Sequence, residues 1–171
     1  MAVEIINTYI ETCPACCFIG KRYTPADSVN GSYGHKWGEW WQKGWFEPLD
    51  QLPHMSIVGD STMAAMRVMN GEMEYWIGFF CPEGTVAPAG YEAIDVAPRC
   101  YAVCWIKGDE HNGEIYSQDA HNACLREIAR QGWKIVEGDW CFERYNCPRF
   151  TAPDEEGRVI LDLGISVEEC E

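Results

Sequence analysis

A carboxylate set among aromatic side chains is the feature of this sequence best suited to chemistry. The segment Asp139 to Tyr145, DWCFERY, has the aromatic content typical of a β-strand. Successive side chains of a strand point to opposite faces, so Glu143 shares a face with Cys141 and Tyr145 while Arg144 lies on the other. Burying an ionised carboxylate is costly unless something compensates its charge. Either Arg144 or another residue pairs with Glu143, or the pocket awaits a cationic or hydrogen-bonding ligand.

Two kinds of chemistry suit such a carboxylate. As a fixed counter-charge, Glu143 would select cationic ligands. As a general base, it would activate a water molecule, with Glu74 or a tyrosine positioning that water or donating to a developing oxyanion. No Ser-His-Asp or Cys-His set is apparent, and the four histidines are scattered in mostly polar contexts. The alternatives without function are a structural ion pair and a surface strand.

Aromatic residues are abundant enough to form the wall of a pocket. Trp37, Trp40, Trp41 and Trp45 share one face of a helix predicted over residues 35–46. Such a stripe packs against a sheet in most proteins, so a core role and a ligand-binding role both stay open. The candidate ligand-binding residues are Glu143, Tyr145, Tyr75, Trp76, Trp105, Trp37 and Trp40. Strand alternation allows only one of Tyr75 and Trp76 to point into the pocket.

Composition excludes several classes of function. The 171 residues include 27 acidic and 13 basic side chains, giving a net charge of −14. This charge opposes direct binding to nucleic acid or to anionic membranes, which need basic patches. The sequence contains no apolar window of transmembrane length, and residues 1–11, MAVEIINTYIE, lack the basic and apolar regions that would predict a signal peptide. We therefore expect one cytoplasmic domain over residues 1–171 with no cofactor; its oligomeric state is open.

Ten cysteines raise the question of disulfides and metals. In a reducing compartment a disulfide framework is disfavoured. The segment Cys13 to Cys17, CPACC, contains a CxxC, but the residues after it continue as a strand instead of opening a helix. Mostly reduced, buried thiols are therefore predicted for the chain, with no metal site.

The order of the predicted elements indicates a duplication. Residues 3–10 and 15–23, broken by Pro14, are predicted as one bent strand or two short ones. Further strands are predicted over residues 56–62, 74–81, 91–96, 100–107, 139–145 and 158–167, helices over 35–46 and 114–131, and a loop or short helix over 63–71. Cys13 and Cys17 align with Cys100 and Cys104 at a constant offset of 87. The prediction is an α+β fold: a duplicated strand–helix–strand–strand module with an antiparallel sheet, two main helices and a central cleft, a favoured location for ligands.

The chain resembles the GyrI-like small-molecule-binding family, which includes gyrase inhibitory proteins and the effector domains of AraC- and MerR-type regulators. The residues that carry the likeness are EYWIG at 74–78, PAGYE at 88–92, the strand at 100–108 and FERY at 142–145. The likeness covers nearly the whole chain, which leaves no room for a DNA-binding helix-turn-helix and implies a stand-alone member.

A subgroup of that family is more similar still. It shares GKRY at 20–23, the KW helix at 36–37 and FERYxCPRFxxPDxxG at 142–157. It includes proteins similar to cyclopropanoid cyclopropyl hydrolases, which open the cyclopropane ring of DNA alkylators with water. The resemblance implies that Glu143 is the pocket glutamate of the family. It implies a binder of hydrophobic, aromatic or cationic compounds, with such a hydrolase as the alternative.

Overall fold

The computed structural model describes residues 3–55, 62–145 and 149–168 and contains one antiparallel sheet of eight strands. The order of the strands across the sheet is β1-β6-β8-β7-β3-β4-β2-β5. Their bounds are β1 Glu4–Cys13, β2 Cys16–Tyr23, β3 Thr62–Met69, β4 Glu72–Pro82, β5 Glu92–Val96, β6 Arg99–Asp109, β7 Cys141–Tyr145 and β8 Arg158–Val167.

Among the described residues, three α-helices accompany the sheet: α1 Gly34–Lys43, α2 Phe46–Asp50 and α3 Gln118–Arg130. Ser117 caps the start of α3, because its hydroxyl accepts a hydrogen bond from the backbone N–H of Ala120. Gly44 ends α1 in the left-handed conformation, with φ of 67°. The helix predicted over 35–46 therefore stops earlier, and Trp45 does not continue the stripe of Trp37 and Trp40.

The strand order confirms the predicted duplication at the level of topology. Exchanging β1 with β5, β2 with β6, β3 with β7 and β4 with β8 reproduces the same order in reverse. Each half also places helical structure between its second and third strands. Cys17 and Cys104 lie in the equivalent strands β2 and β6 and face the same side of the sheet. The fold is α+β, as predicted.

Helices cover one face of the sheet. On the other face, side chains from strands of both halves pack against one another. On the helix-covered face, α1 and α2 pack on β2, β3 and β4, and α3 packs on β6 and β8. On the opposite face, strands from both halves share one apolar cluster that includes Phe18, Trp76, Phe80 and Phe142. Only Pro14 and Ala15 separate β1 from β2, although these strands lie near opposite ends of the strand order. The sheet is therefore strongly curved.

The prediction of a loop or short helix over residues 63–71 is wrong, because most of this segment forms β3. Its alanines and methionines have low β-propensity, but β3 pairs with β4 on one side and with β7 on the other. Pairing and burial on both faces override local preference. The strand predicted at 56–62 falls almost entirely outside the described residues.

Most described cysteines carry free thiols, as predicted: Cys13, Cys16, Cys17, Cys81, Cys104, Cys124 and Cys141. Cys100 departs from the prediction because it is disulfide-bonded. Within the described ranges no group of three or more His, Cys, Asp or Glu side chains could hold a metal ion. None of the helices described is long and apolar enough to cross a membrane.

Close contact between β2 and β4 predicts a large cost for adding a methyl group at Gly78. A Cβ atom there would lie 2.0 Å from the backbone oxygen of Ile19. We expect Gly78→Ala to lower the free energy of unfolding by about 1–3 kcal/mol, as overpacking does. Gly38 in α1 is the control, because a Cβ there meets nothing within 4 Å. Gly38→Ala should raise stability by up to about 1 kcal/mol. Urea denaturation measures both, and equal effects would contradict the predicted contact.

Candidate functional site

Glu143 occupies the middle of the sheet, on the helix-covered face. It pairs with Ala64 of β3 on one side and with Leu163 of β8 on the other. The helices α1 and α2 cover β2, β4 and most of β3, and α3 covers β6 and β8. The strand β7, together with Thr62 at the start of β3, therefore lies beneath the gap between the two covers. The duplicated fold thus places this carboxylate on the floor of a cleft.

The cleft is a cavity of about 680 Å³. This volume lies within the range of small-molecule sites, which is roughly 300–1,000 Å³. Apart from Glu143, the wall is aromatic on several sides and carries small polar residues elsewhere. The aromatic lining residues are Tyr33, Trp37, Trp41, Tyr75, Tyr116, Tyr145 and Phe150, and the small ones are Gly31, Ser32, Gly34, Thr62 and Thr151.

Contacts among the aromatic residues hold the wall in place. The indole N–H of Trp37 donates to the hydroxyl of Tyr75 at 2.9 Å. Tyr33 stacks on Tyr75 with ring centroids 4.0 Å apart, and Trp37 meets Tyr145 edge-on at 5.0 Å. Tyr145 in turn contacts Phe150 edge-on at 4.9 Å. The rings are therefore oriented before a ligand arrives, which reduces the entropy lost on binding.

The charge of Glu143 has little compensation. Its carboxylate accepts one hydrogen bond, from the hydroxyl of Tyr145 at 3.3 Å, and forms no ion pair with any residue in the described ranges. Burial raises the pKa of Glu143, and the Tyr145 hydrogen bond only partly opposes that rise. Burial and the nearby Glu143 charge together raise the pKa of Cys141 to about 12 and that of Tyr75 further above its usual value.

Arg144 is not the partner of Glu143. It lies on the opposite face, as strand alternation predicts, and its guanidinium donates to Asp162 and Glu11, each at 2.9 Å. Arg144 and Asp162 are 2% and 0% exposed. The neighbouring cation is therefore fully engaged elsewhere, and Glu143 faces the cavity with its negative charge free to meet a ligand.

The structure brings together four of the residues singled out in the sequence. Glu143, Tyr145, Tyr75 and Trp37 all line the cavity. Between the alternatives Tyr75 and Trp76, the structure selects Tyr75, because Trp76 packs into the cluster on the opposite face.

Other candidate residues lie apart from the cavity. Glu74 is on the opposite face, where its carboxylate accepts hydrogen bonds from Arg67 at 3.2 Å and from the indole of Trp76 at 3.0 Å. Glu74 cannot assist Glu143, because it is paired with Arg67 and Trp76 and points to the opposite face of the sheet. Trp105 also faces that side, beneath the Arg149 guanidinium. Trp40 lies on the helix-covered face but is fully buried beneath α1, where its indole donates to Tyr23.

Sequence reasoning missed four aromatic lining residues. Trp41 was expected to share the buried stripe, but it is 62% exposed and lines the cavity. Tyr33 and Phe150 sit in connections, where no periodicity marks a direction. Tyr116 falls inside the helix predicted over 114–131, but the structure places it at the end of a short 3-10 helix, Glu114–Tyr116, that precedes α3. The one signal available was that aromatic residues flank α1, α3 and β7 in the sequence.

Comparison with known proteins supplies a fold and no family assignment. No protein-family model and no curated protein matches the chain. Among solved structures, the chain is similar to SAV2435 bound to tetraphenylphosphonium, with a TM-score of 0.70, 16% identity, and coverage of 95% of this chain and 94% of that one.

Two further solved structures are similar. One is a putative bacterial transcription regulation protein from Staphylococcus aureus MU50, with a TM-score of 0.68, 15% identity, and coverage of 95% and 99%. The other is the C-terminal domain of EcmrR, with a TM-score of 0.59, 10% identity, and coverage of 96% and 98%. At these identities the likeness shows the fold alone.

The raised pKa of Glu143 predicts a specific dependence of stability on pH. An unfolded glutamate titrates near pH 4.3 and the folded one at a higher pH. Between those values the folded state holds more protons than the unfolded state, so the free energy of unfolding falls as pH rises. Glu143→Gln should remove this fall and be more stable than wild type above the folded pKa. Urea unfolding from pH 4 to pH 8 tests it; parallel curves for the two proteins would contradict the assignment.

Proposed function

We propose that this protein binds bulky aromatic organic cations in the Glu143 cavity. The observation that carries the proposal is the half-buried carboxylate of Glu143, which has no ion pair among the described residues and lies at the base of a cavity walled by aromatic rings. Aromatic faces attract cations and stack on aromatic ligands, each contact contributing roughly 0.5–2 kcal/mol. A ligand that brings both a positive charge and aromatic surface satisfies both parts of the site.

The cost of burying Glu143 provides the selectivity. A neutral ligand would displace water from the carboxylate without replacing its solvation, which leaves a buried charge uncompensated or forces it to take up a proton. A cation restores the compensation. The similar protein SAV2435 is bound to tetraphenylphosphonium, a permanent cation with four phenyl rings, and this supports the same ligand class for the present cavity.

Substitution of Glu143 should separate charge from shape. Glu143→Gln should weaken tetraphenylphosphonium by about 1–3 kcal/mol, the scale of a lost charge-assisted interaction. The neutral compound triphenylmethanol should bind unchanged or slightly tighter, because the glutamine needs no counter-ion. Isothermal titration calorimetry measures both.

Glu110→Gln is the matched control. Glu110 is close enough to contribute to the raised pKa of Tyr116, a lining residue, yet it does not itself line the cavity. Removing its charge should therefore change tetraphenylphosphonium affinity only slightly. Equal losses in Glu110→Gln and Glu143→Gln would mean that the overall acidic field attracts the cation and that Glu143 has no special part.

The affinity for a permanent cation should rise with pH. Tetraphenylphosphonium does not titrate, and it binds best to ionised Glu143, so binding expels a proton wherever the empty site is protonated. The affinity should rise up to the pKa of Glu143 in the empty protein and stay level above it. In Glu143→Gln the profile should be flat, and a slope that survives this substitution would rule out Glu143 as its source.

A second candidate function is hydrolysis of an activated cyclopropane, with Glu143 as general base. The observation that favours it is that the pKa of Glu143 is raised beside a tyrosine hydroxyl, because a base works best when its pKa lies near the working pH. Glu143 would take a proton from water as that water attacks the strained carbon. Tyr145, Tyr75 or Tyr116 would then donate to the oxygen that gains charge.

Product formation from a cyclopropane-bearing alkylator tests this second candidate. If it is right, Glu143→Gln should cut turnover by roughly 10²–10⁴-fold, as loss of a general base does, while substrate still binds to the aromatic wall. Liquid chromatography with mass detection would follow the ring-opened product. Equal product formation by wild type, by the variant and by buffer would leave binding as the function.

A further inference from the structure

Two thiols meet at the corner where β1 gives way to β2. Cys13 ends β1, Cys16 begins β2, and only Pro14 and Ala15 separate them. Their Sγ atoms are 3.9 Å apart. Both side chains belong to the apolar cluster on the face opposite Glu143, so this pair is independent of the proposed ligand cavity.

Access to the two thiols differs. Cys13, 4% exposed, lines a second cavity of about 870 Å³, whose wall also includes Arg99 and Asp139. Cys16 is 1% exposed and is not among the lining residues. A small molecule in this groove would therefore reach the sulfur of Cys13 first, with Cys16 directly behind it.

The surroundings stabilise a thiolate on Cys13. A hydrogen bond from Cys16 lowers the pKa of Cys13 against the opposing effect of burial, and Arg99 assists, whereas the same contact raises the pKa of Cys16. Tyr101 is 1% exposed, and its hydroxyl has no hydrogen-bond partner within the described residues. The Cys13 and Cys16 charges contribute to its raised pKa, which places this unused donor near the pair. A thiol with a lowered pKa in the wall of a cavity, backed by a second thiol that the cavity does not reach, is an arrangement suited to a reactive dithiol.

We propose that Cys13 and Cys16 form a redox-active dithiol that exchanges with low-molecular-weight disulfides in the groove beside Arg99. The Cys13 thiolate attacks one sulfur of the disulfide, forming a mixed disulfide and releasing one thiolate. Cys16 then loses its proton and attacks the Cys13 sulfur, forming the Cys13–Cys16 bond and releasing the second thiolate. The two released thiolates take up the two protons that the cysteines lost. The protein is oxidised by two electrons and the small disulfide is reduced to two thiols.

The distances suit this reaction. A disulfide has an S–S bond of about 2.05 Å, so the two sulfurs must approach by roughly 2 Å. Cys13 and Cys16 lie at the two ends of the two-residue connection between β1 and β2. These two strands do not pair with each other, so no ladder hydrogen bond between them must break when the sulfurs approach. Cys104 of β6 and Cys124 of α3 are a second pair of neighbouring cysteines, and they differ from Cys13 and Cys16 in access. Both are fully buried, and neither lines a described cavity.

Glutathione redox buffers test the proposal on the folded, full-length protein. After equilibration at increasing proportions of oxidised glutathione, the sample is acid-quenched, alkylated, digested and mapped by mass spectrometry. Cys13 and Cys16 should together become protected from alkylation and appear as one linked peptide, while Cys104 and Cys124 stay alkylated. Cys17→Ala is the matched control: Cys17 is adjacent in sequence but faces the other side of the sheet, so the linked peptide should persist.

Single substitutions then test the order of attack. Cys16→Ala should trap one glutathione on Cys13, because no second thiol resolves the mixed disulfide, whereas Cys13→Ala should leave Cys16 unmodified. If Cys13 and Cys16 of the folded wild type stay fully alkylatable in buffers that oxidise the guanidinium-denatured chain, the proposal is overturned. That comparison needs no variant and decides the matter even if a substitution prevents folding.

Discussion

The buried ion cluster around Arg144 is the interaction on which the position of β7 depends. Arg144 of β7 donates to Asp162 of β8 and to Glu11 of β1, and Arg149 adds a second guanidinium to Asp162. Removing one partner of a buried pair typically costs about 3–5 kcal/mol, since the remaining charge is left uncompensated. The cluster therefore fixes which face of β7 turns inward. With Arg144 held on one face, Glu143 must occupy the other.

The adjacent residues Glu143 and Arg144 of β7 thus carry opposite charges that differ in how well they are compensated. The guanidinium of Arg144 has carboxylate partners, whereas the carboxylate of Glu143 has a tyrosine hydroxyl and open space. Stability is concentrated on the first face, and an unsatisfied charge is kept on the second. Functional sites commonly hold groups whose pKa values are displaced in this way. The aromatic wall keeps that charge poorly solvated without adding a cation of its own.

Strand alternation, turn signals and the offset between Cys17 and Cys104 were enough to predict the duplicated α+β fold and the face of Glu143. They could not predict β3, whose alanines resemble a helix and become a strand only through its neighbours on both sides. They gave no direction to Tyr33, which lies in a connection. They also missed Tyr116, because the predicted continuous helix over 114–131 begins as a separate 3-10 helix before α3. Trp105 was misplaced because an aromatic residue in a strand looks the same on either face. These features depend on which strands pair and which side chains pack together in the folded protein, and the local sequence does not contain that information.

The first strand of each half pairs with a strand of the other half, and this arrangement affects how the chain can fold during translation. Residues of β1 pair with β6, so that Cys13 meets Arg99, while β5 closes the first half by pairing with β2. Neither half of the sheet is complete in its own sequence. Such long-range pairings must overcome loop-closure entropy before they contribute stability. During synthesis on the ribosome, β1 emerges first and then has no partner until more than half of the chain has followed it. The two halves are consequently interlocked, and we expect the sheet to be completed only after translation has passed β8, which pairs with both β6 and β7.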